Sequence, residues 1–91
     1  MPSVIPMSWA DRRDRIDHAA PDYIWEQVAA DLRALIRSGD LPAGSRLPSE
    51  AELAEVYGVA RATIRSAIGK LRKDGALTVK VGRGTYVSRT N

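Results

Sequence analysis

The stretch from Ser49 to Lys73 constrains this chain more than any other part of it. Two short runs of apolar residues at helical spacing lie there, separated only by the turn around Tyr57-Gly58. Helices joined so tightly cross at a steep angle, and such a crossing asks for particular residues at particular offsets. A small residue has to sit where the helices touch, and Ala54 is there. Four residues on, the turn needs a backbone that tolerates the left-handed region, which Gly58 supplies. Six further on, an apolar side chain has to lock the pair together. That is the place of Ile64, with Leu53, Tyr57 and Val59 filling out the shared core. Ser49 and Glu52, three apart, make a capping box for the first of these helices. An ordinary helical hairpin can carry the same spacing, so the flanking segments decide.

Those segments have distinct periods. Upstream, Trp25, Val28, Leu32, Leu35 and Ile36 form one apolar stripe. It predicts a helix from about Asp22 to Ser38, entered through Pro21-Asp22 and stopped by Gly39. Gly39 to Gly44 is dense turn chemistry, and Ser45-Arg46-Leu47 has room only for a short strand. The second helix opens at Pro48-Ser49-Glu50 and ends near Tyr57-Gly58. A third runs from about Arg61 to Lys73, burying Ile64, Ala67, Ile68 and Leu71, and Gly75 ends it. The period then changes to two: Leu77, Val79 and Val81 alternate with Thr78 and Lys80. Gly82-Arg83-Gly84 makes a tight turn and Thr85-Tyr86-Val87-Ser88 returns as the partner strand. Helix, short strand, helix, helix, hairpin is the order of a winged helix-turn-helix. The expected fold is therefore mostly α with a small β-hairpin, a three-helix core plus a wing, over residues 21–91. Residues 1–20 read as an N-terminal arm with no clear core face, either a helix packed on the domain or a frayed terminus. Trp9 and Ile16 are the large apolar groups around its balanced run of acids and bases.

Composition excludes several classes. Ninety-one residues, 44% of them hydrophobic, suffice for one small core. The absence of cysteine rules out disulfides and thiolate metal sites and is compatible with a reducing compartment. No apolar run approaches the roughly 18–20 residues of a membrane span. Met1 to Ala10 lacks the basic flank and apolar stretch of a signal peptide, so a cytoplasmic location is expected. The one histidine, His18, lies in the arm beside Asp17 with no metal-ligand spacing or nucleophile near it in sequence. Gly82-Arg83-Gly84 precedes a strand rather than a helix, which is the wrong context for a phosphate-binding glycine loop. Neither an enzyme nor a cofactor or metal is expected.

Charge is unevenly placed. Residues 1–55 carry six Lys/Arg and ten Asp/Glu, a net of −4, whereas residues 56–91 carry eight Lys/Arg against Asp74 alone, a net of +7. Clustered cations release condensed counterions on meeting nucleic acid, although charges also simply solvate a surface. The third helix is more specific. At about 100° per residue, Arg61, Arg65 and Arg72 form a row along one edge of its outer surface. Beside them stand the small residues Ala62, Ser66 and Gly69. A helix entering a major groove about 12 Å wide benefits from small residues beside long hydrogen-bonding ones, and arginine can bond guanine O6 and N7 together. Arg61 and Arg65 lie in the first turns, the part of a recognition helix that reaches base edges. The plainer alternative is that these arginines only solubilise the helix or hold phosphates. Arg83, between Gly82 and Gly84, puts a cation at the tip of a thin loop, although the glycines also serve the turn itself.

From Trp25 to Val87 the sequence resembles the DNA-binding domain of the GntR-type (gluconate-repressor) regulators. The residues that carry the likeness are Val28, Leu32, Ile36 and Gly39; Leu41 through Glu50; Leu53-Ala54; Tyr57-Gly58-Val59; Arg61 through Arg65; Leu71 through Gly75; and Gly82 through Val87. The resemblance implies base contacts from Arg61 and Arg65, with Thr63 on phosphate or base. It implies that Ser49 and the backbone beside it hold phosphate, and that the Gly82-Arg83 tip enters the minor groove. It further implies a transcription regulator, by default a repressor, binding a two-fold operator on double-stranded DNA as a homodimer.

Two positions depart from the family pattern. Ala60 stands where Ser or Thr is usual, removing a side-chain cap from the third helix and a phosphate contact. Ala51 stands where many members carry a basic residue. Family members also continue into a C-terminal effector-binding and dimerisation domain. The expectation is that these residues are the DNA-reading part of a longer protein, the alternative being a stand-alone regulator, with a small-molecule effector only if that domain exists. The rival is a winged helix used for protein–protein contact without specific DNA binding. The arginine row argues against it, because a docking face more often exposes large apolar residues.

Overall fold

The computed structural model describes Trp9 and residues 11–89; the rest of the 1–20 arm, and the last two residues, lie outside the described residues. A short 3-10 turn at Arg13–Arg15 is followed by α1 (Ile24–Ser38), α2 (Glu50–Tyr57), α3 (Arg61–Lys73), β1 (Leu77–Lys80) and β2 (Gly84–Val87). α1 and α2 both pack on α3, and the two strands form one antiparallel hairpin. This is the expected three-helix core with a wing.

Each helix forms where its sequence can satisfy its own ends. α1 buries Val28, Ala29, Leu32 and Leu35 on one stripe. Its entry differs from the Pro21-Asp22 start that the sequence suggests. Tyr23 is the N-cap, and its amide donates to the Glu26 carboxylate at 3.2 Å, so the glutamate rather than an aspartate side chain closes the first turn. In α2 the capping box is complete. Ser49 Oγ accepts from the Glu52 amide at 3.1 Å, and Glu52 Oε1 accepts from the Ser49 amide at 2.8 Å. α2 stops at Gly58, whose φ of +65° lets the Val59 amide turn back onto the Ala54 carbonyl at 3.0 Å. α3 ends the same way, the Ala76 amide donating to the Leu71 carbonyl at 2.8 Å. At its start Ala60 is the N-cap and offers no side-chain bond.

The core is continuous. Ile64, Ala67, Ile68 and Leu71 of α3 lie at its centre with Leu53, Val56 and Tyr57 of α2, and Ala54 and Val59 pack at its edge. Leu41 and Leu47 seal the loop between α1 and α2, and Leu77 and Val87 fasten the hairpin to it. The Ser45-Arg46-Leu47 strand reduces to a single bridge between Arg46 and Tyr86, flanked by hydrogen bonds from Leu47 to Thr85 and from Val87 to Ser45. Alternation along β1 ends one residue earlier than the sequence pattern suggests. Val81 is 97% exposed, because the strand stops at Lys80 and the turn carries Val81 away from the core.

The 1–20 arm reads in sequence as lacking a clear core face, and for its described residues, Trp9 and 11–20, the structure differs. Trp9 is 1% exposed and Ile16 is 7% exposed, both within the main core. Arg12 explains how the segment is held. Its amide donates to the Val56 carbonyl at 3.0 Å, and its guanidinium forks onto Asp31 of α1 at 2.6 and 3.0 Å. The Tyr57 hydroxyl donates to the same carboxylate at 2.6 Å. Burial alone would raise the Asp31 pKa, but the hydrogen bonds from Arg12 and Tyr57 outweigh it and hold the carboxyl below its ordinary value. Burial and the neighbouring carboxylate push the Tyr57 phenol far up, so it stays a neutral donor.

Candidate nucleic-acid interface

With one face of α3 committed to the core, the opposite face is left to solvent. Arg61, Ala62, Arg65, Ser66, Gly69, Arg72 and Lys73 are all exposed, so the arginine row lies on a free surface as its spacing predicts. Thr63 is half-buried, and its amide donates to the Ala60 carbonyl at 3.0 Å in the first turn. That bond replaces part of what the missing Ala60 side-chain cap would have supplied. Among the described residues neither Arg61 nor Arg83 makes an ion pair, whereas Arg65 is bracketed by Glu50 at 3.1 and 3.4 Å.

Ser49 lies at the exposed N-terminus of α2, the helix that crosses α3. Its oxygen is already an acceptor for the cap, which leaves its own O–H to donate. The first amides of α2 have no acceptor within the helix, and the helix dipole adds partial positive charge there. An anion placed at this end would find amide donors, while the Glu50 and Glu52 carboxylates of the same turn oppose its charge.

The wing is a four-pair hairpin with Lys80 opposite Gly84 and Leu77 opposite Val87. Its loop closes when the Arg83 amide donates to the Lys80 carbonyl at 2.8 Å. Gly82, with φ +76°, takes the left-handed third position of that turn, which suits glycine. Gly84 is the first residue of β2 rather than part of the turn. Its φ of +117° is one that L side chains rarely adopt, and a Cβ there would also meet the movable Arg46 side chain, 2.8 Å away at Nε. Arg83 is exposed at the tip, and the Tyr86 hydroxyl donates to its carbonyl at 3.3 Å. Lys80 sits over the Tyr86 ring with its ammonium 5.2 Å from the centroid.

Sequence reasoning misses the parts played by Glu50, Arg46 and Lys80. It marks Glu50 only as part of a helix start, and Arg46 only as part of a short strand. The Glu50–Arg65 pair spans fifteen positions and two helices, so no local periodicity reveals it. Among the described residues no three His, Cys, Asp or Glu side chains come together in a group that could hold a metal. Nor is any helix of the described residues long and apolar enough to cross a membrane.

Known proteins with the same pattern are regulators. A family model described as "Bacterial regulatory proteins, gntR family" matches residues 24–87. The HTH-type transcriptional repressor NagR of Bacillus subtilis is 39% identical over 74 residues, which is 81% of this chain and 30% of that protein. The chain thus spans less than a third of that relative's length. Among solved structures, YtrA from Sulfolobus acidocaldarius, a GntR-family transcription factor, superposes with a TM-score of 0.78. It is 33% identical, with 84% of this chain and 80% of that one covered. AraR(DBD) in complex with operator ORE1 superposes with a TM-score of 0.68 at 38% identity, covering 70% of this chain and 78% of that one. None of these relatives is named as an enzyme.

Proposed function

This chain belongs to the gntR family of bacterial regulatory proteins, and we propose that it reads operator DNA sequence-specifically, as the DNA-binding part of a transcription repressor. The observation that carries the reading is the exposed arginine row of α3 beside small residues, on the face opposite the core. Arg61 and Arg65 enter the major groove and bond base edges. Ala62 and Ser66 keep the helix surface low between them, and Thr63 bonds phosphate or base. Ser49 and the α2 amides hold a phosphate, which fixes the angle at which α3 enters. Gly82-Arg83-Gly84 lays the wing tip along the backbone or minor groove. The operator complex formed by AraR(DBD) supports this assignment, because that domain shares the fold and more than a third of its aligned residues.

Two copies on a two-fold operator raise affinity beyond what one small interface gives, so a homodimer on DNA is the working assembly. A small-molecule effector is expected only if the full-length protein carries a C-terminal effector-binding domain. The place of action is the cytoplasm, where the DNA is.

Selecting duplexes from a random library and measuring Arg61→Ala and Arg65→Ala on selected and random DNA tests the reading. Each variant is expected to lose about tenfold or more on the selected duplex, since a bidentate arginine–guanine pair is worth about 1–3 kcal/mol. The loss on random DNA should be much smaller. Equal losses on both would reduce these arginines to phosphate contacts. No salt-sensitive DNA binding at all would leave the protein-docking function in its place.

A further inference from the structure

Arg65 does not stand alone on α3. Its Nε and Nη2 face the two carboxylate oxygens of Glu50 at 3.4 and 3.1 Å, a side-on fork bridging the crossing of α2 and α3. Glu50 is the first residue of α2, so the Ser49–Glu52 capping box fixes the backbone from which its side chain springs. With side-chain exposures of 64% and 34%, the pair is too wet to matter much for folding. A carboxylate on a surface that approaches DNA also repels phosphate whatever the sequence. An acid that contributes little to stability and opposes general binding needs another role.

The guanidinium supplies one. It carries five N–H donors in a rigid plane. The fork engages Nε and one Nη2 hydrogen, which leaves the Nη1 hydrogens and the second Nη2 hydrogen. Those remaining donors make a parallel pair on the adjoining edge, the arrangement that guanine O6 and N7 accept. We propose that Glu50 is the positioning residue for Arg65, holding its guanidinium plane so that the outer edge meets a guanine, and that it thereby sets sequence specificity. This rests on the DNA-reading function proposed above. An arginine without that brace has more rotamer freedom to lose on binding. It is also free to satisfy itself on any phosphate within reach, and discrimination falls while general affinity does not.

The test compares Glu50→Gln with the unsubstituted chain on a duplex that the latter selects from a random library, on single-base variants of that duplex, and on random DNA. Glu50→Gln should lower the ratio of selected to random affinity by about tenfold, within the range a bidentate contact controls. Affinity for random DNA should hold or rise, because an anion has left the surface. The reduced discrimination should map to one base pair per half-site, the pair whose preference Arg65→Ala also abolishes. In an Arg65→Ala background, Glu50→Gln should leave the ratio unchanged. Arg65→Lys keeps the charge but not the fork, and should lose the same base preference. The proposal is overturned if Glu50→Gln retains that preference, or weakens selected and random DNA alike, or lowers the ratio as much without Arg65. If the unsubstituted chain selects no sequence, the DNA-reading function falls, and this inference with it.

Discussion

Arginine is put to different uses on this molecule, and the surroundings of each guanidinium decide which. Arg12 is part-buried and locked to Asp31, so it is structural. Arg65 is exposed and braced by Glu50. Arg61 and Arg83 are exposed and without an ion pair among the described residues, which leaves all their donors for an incoming ligand. The residue types alone were legible in the sequence, and the α3 row with them, because helical geometry places side chains three and four apart together. The partners were not. For the wing cation, the expectation concerns salt. Arg83→Ala should flatten the plot of log affinity against log salt by about one unit, as befits the removal of one phosphate-neutralising cation, while altering base preference little. An unchanged slope in equilibrium titrations at several salt concentrations would take the wing tip off the phosphates.

At the scale of the element, ends matter more than middles. α2 has eight residues, too short to hold itself together in water, and its stability comes from its cap, its glycine stop and the face it packs on α3. Ser49 therefore has one observed duty, as the cap oxygen, and one proposed duty, as a hydroxyl donor toward phosphate. They separate experimentally. Ser49→Ala should cost about 1 kcal/mol in urea denaturation and weaken DNA binding as well. Ser49→Asp should keep the cap and most of the stability yet bind DNA still more weakly, because its charge opposes phosphate. If Ser49→Asp binds as well as the unsubstituted chain, no phosphate sits at this helix end. α3 lacks a side-chain cap at Ala60, and it tolerates that because its buried face, Ile64 through Leu71, is anchored on both other helices.

At the scale of the whole molecule, a carboxylate joins three segments. Asp31 on α1 receives Arg12 from the N-terminal segment and Tyr57 from the end of α2. It thus ties the helix-turn-helix to the segment that carries Trp9 and Ile16 into the core. Because the folded state holds the Asp31 pKa below its ordinary 3.8, this tie is fully present above that pH. It weakens as pH falls through the folded value, where the carboxylate must be protonated. Asp31→Asn should lower stability at neutral pH by about 1–3 kcal/mol, the cost of leaving hydrogen-bonded groups incompletely paired. The gap between the two proteins should narrow as pH drops below 3.8. Thermal denaturation followed from pH 7 to pH 2 measures both; a gap independent of pH would show that the charge on Asp31 contributes nothing.

The order of elements, their boundaries to within a residue or two, the buried face of α3, the α2 capping box and the exposure of the arginine row were all determined by sequence. These features depend on residues a few positions apart, where backbone geometry leaves little choice. Val81 and the entry to α1 differ from the sequence pattern by short distances, since the last residue of a strand and the first of a helix depend on which neighbour reaches the backbone first. What only the tertiary structure decided are the meetings across long separations: Trp9 and Ile16 finding the core, Arg12 and Tyr57 sharing Asp31, Arg46 lying against Gly84, and Glu50 bracing Arg65. Each depends on the angle at which one helix or strand crosses another. That angle is set by the packing of the whole core, which no stretch of sequence states by itself.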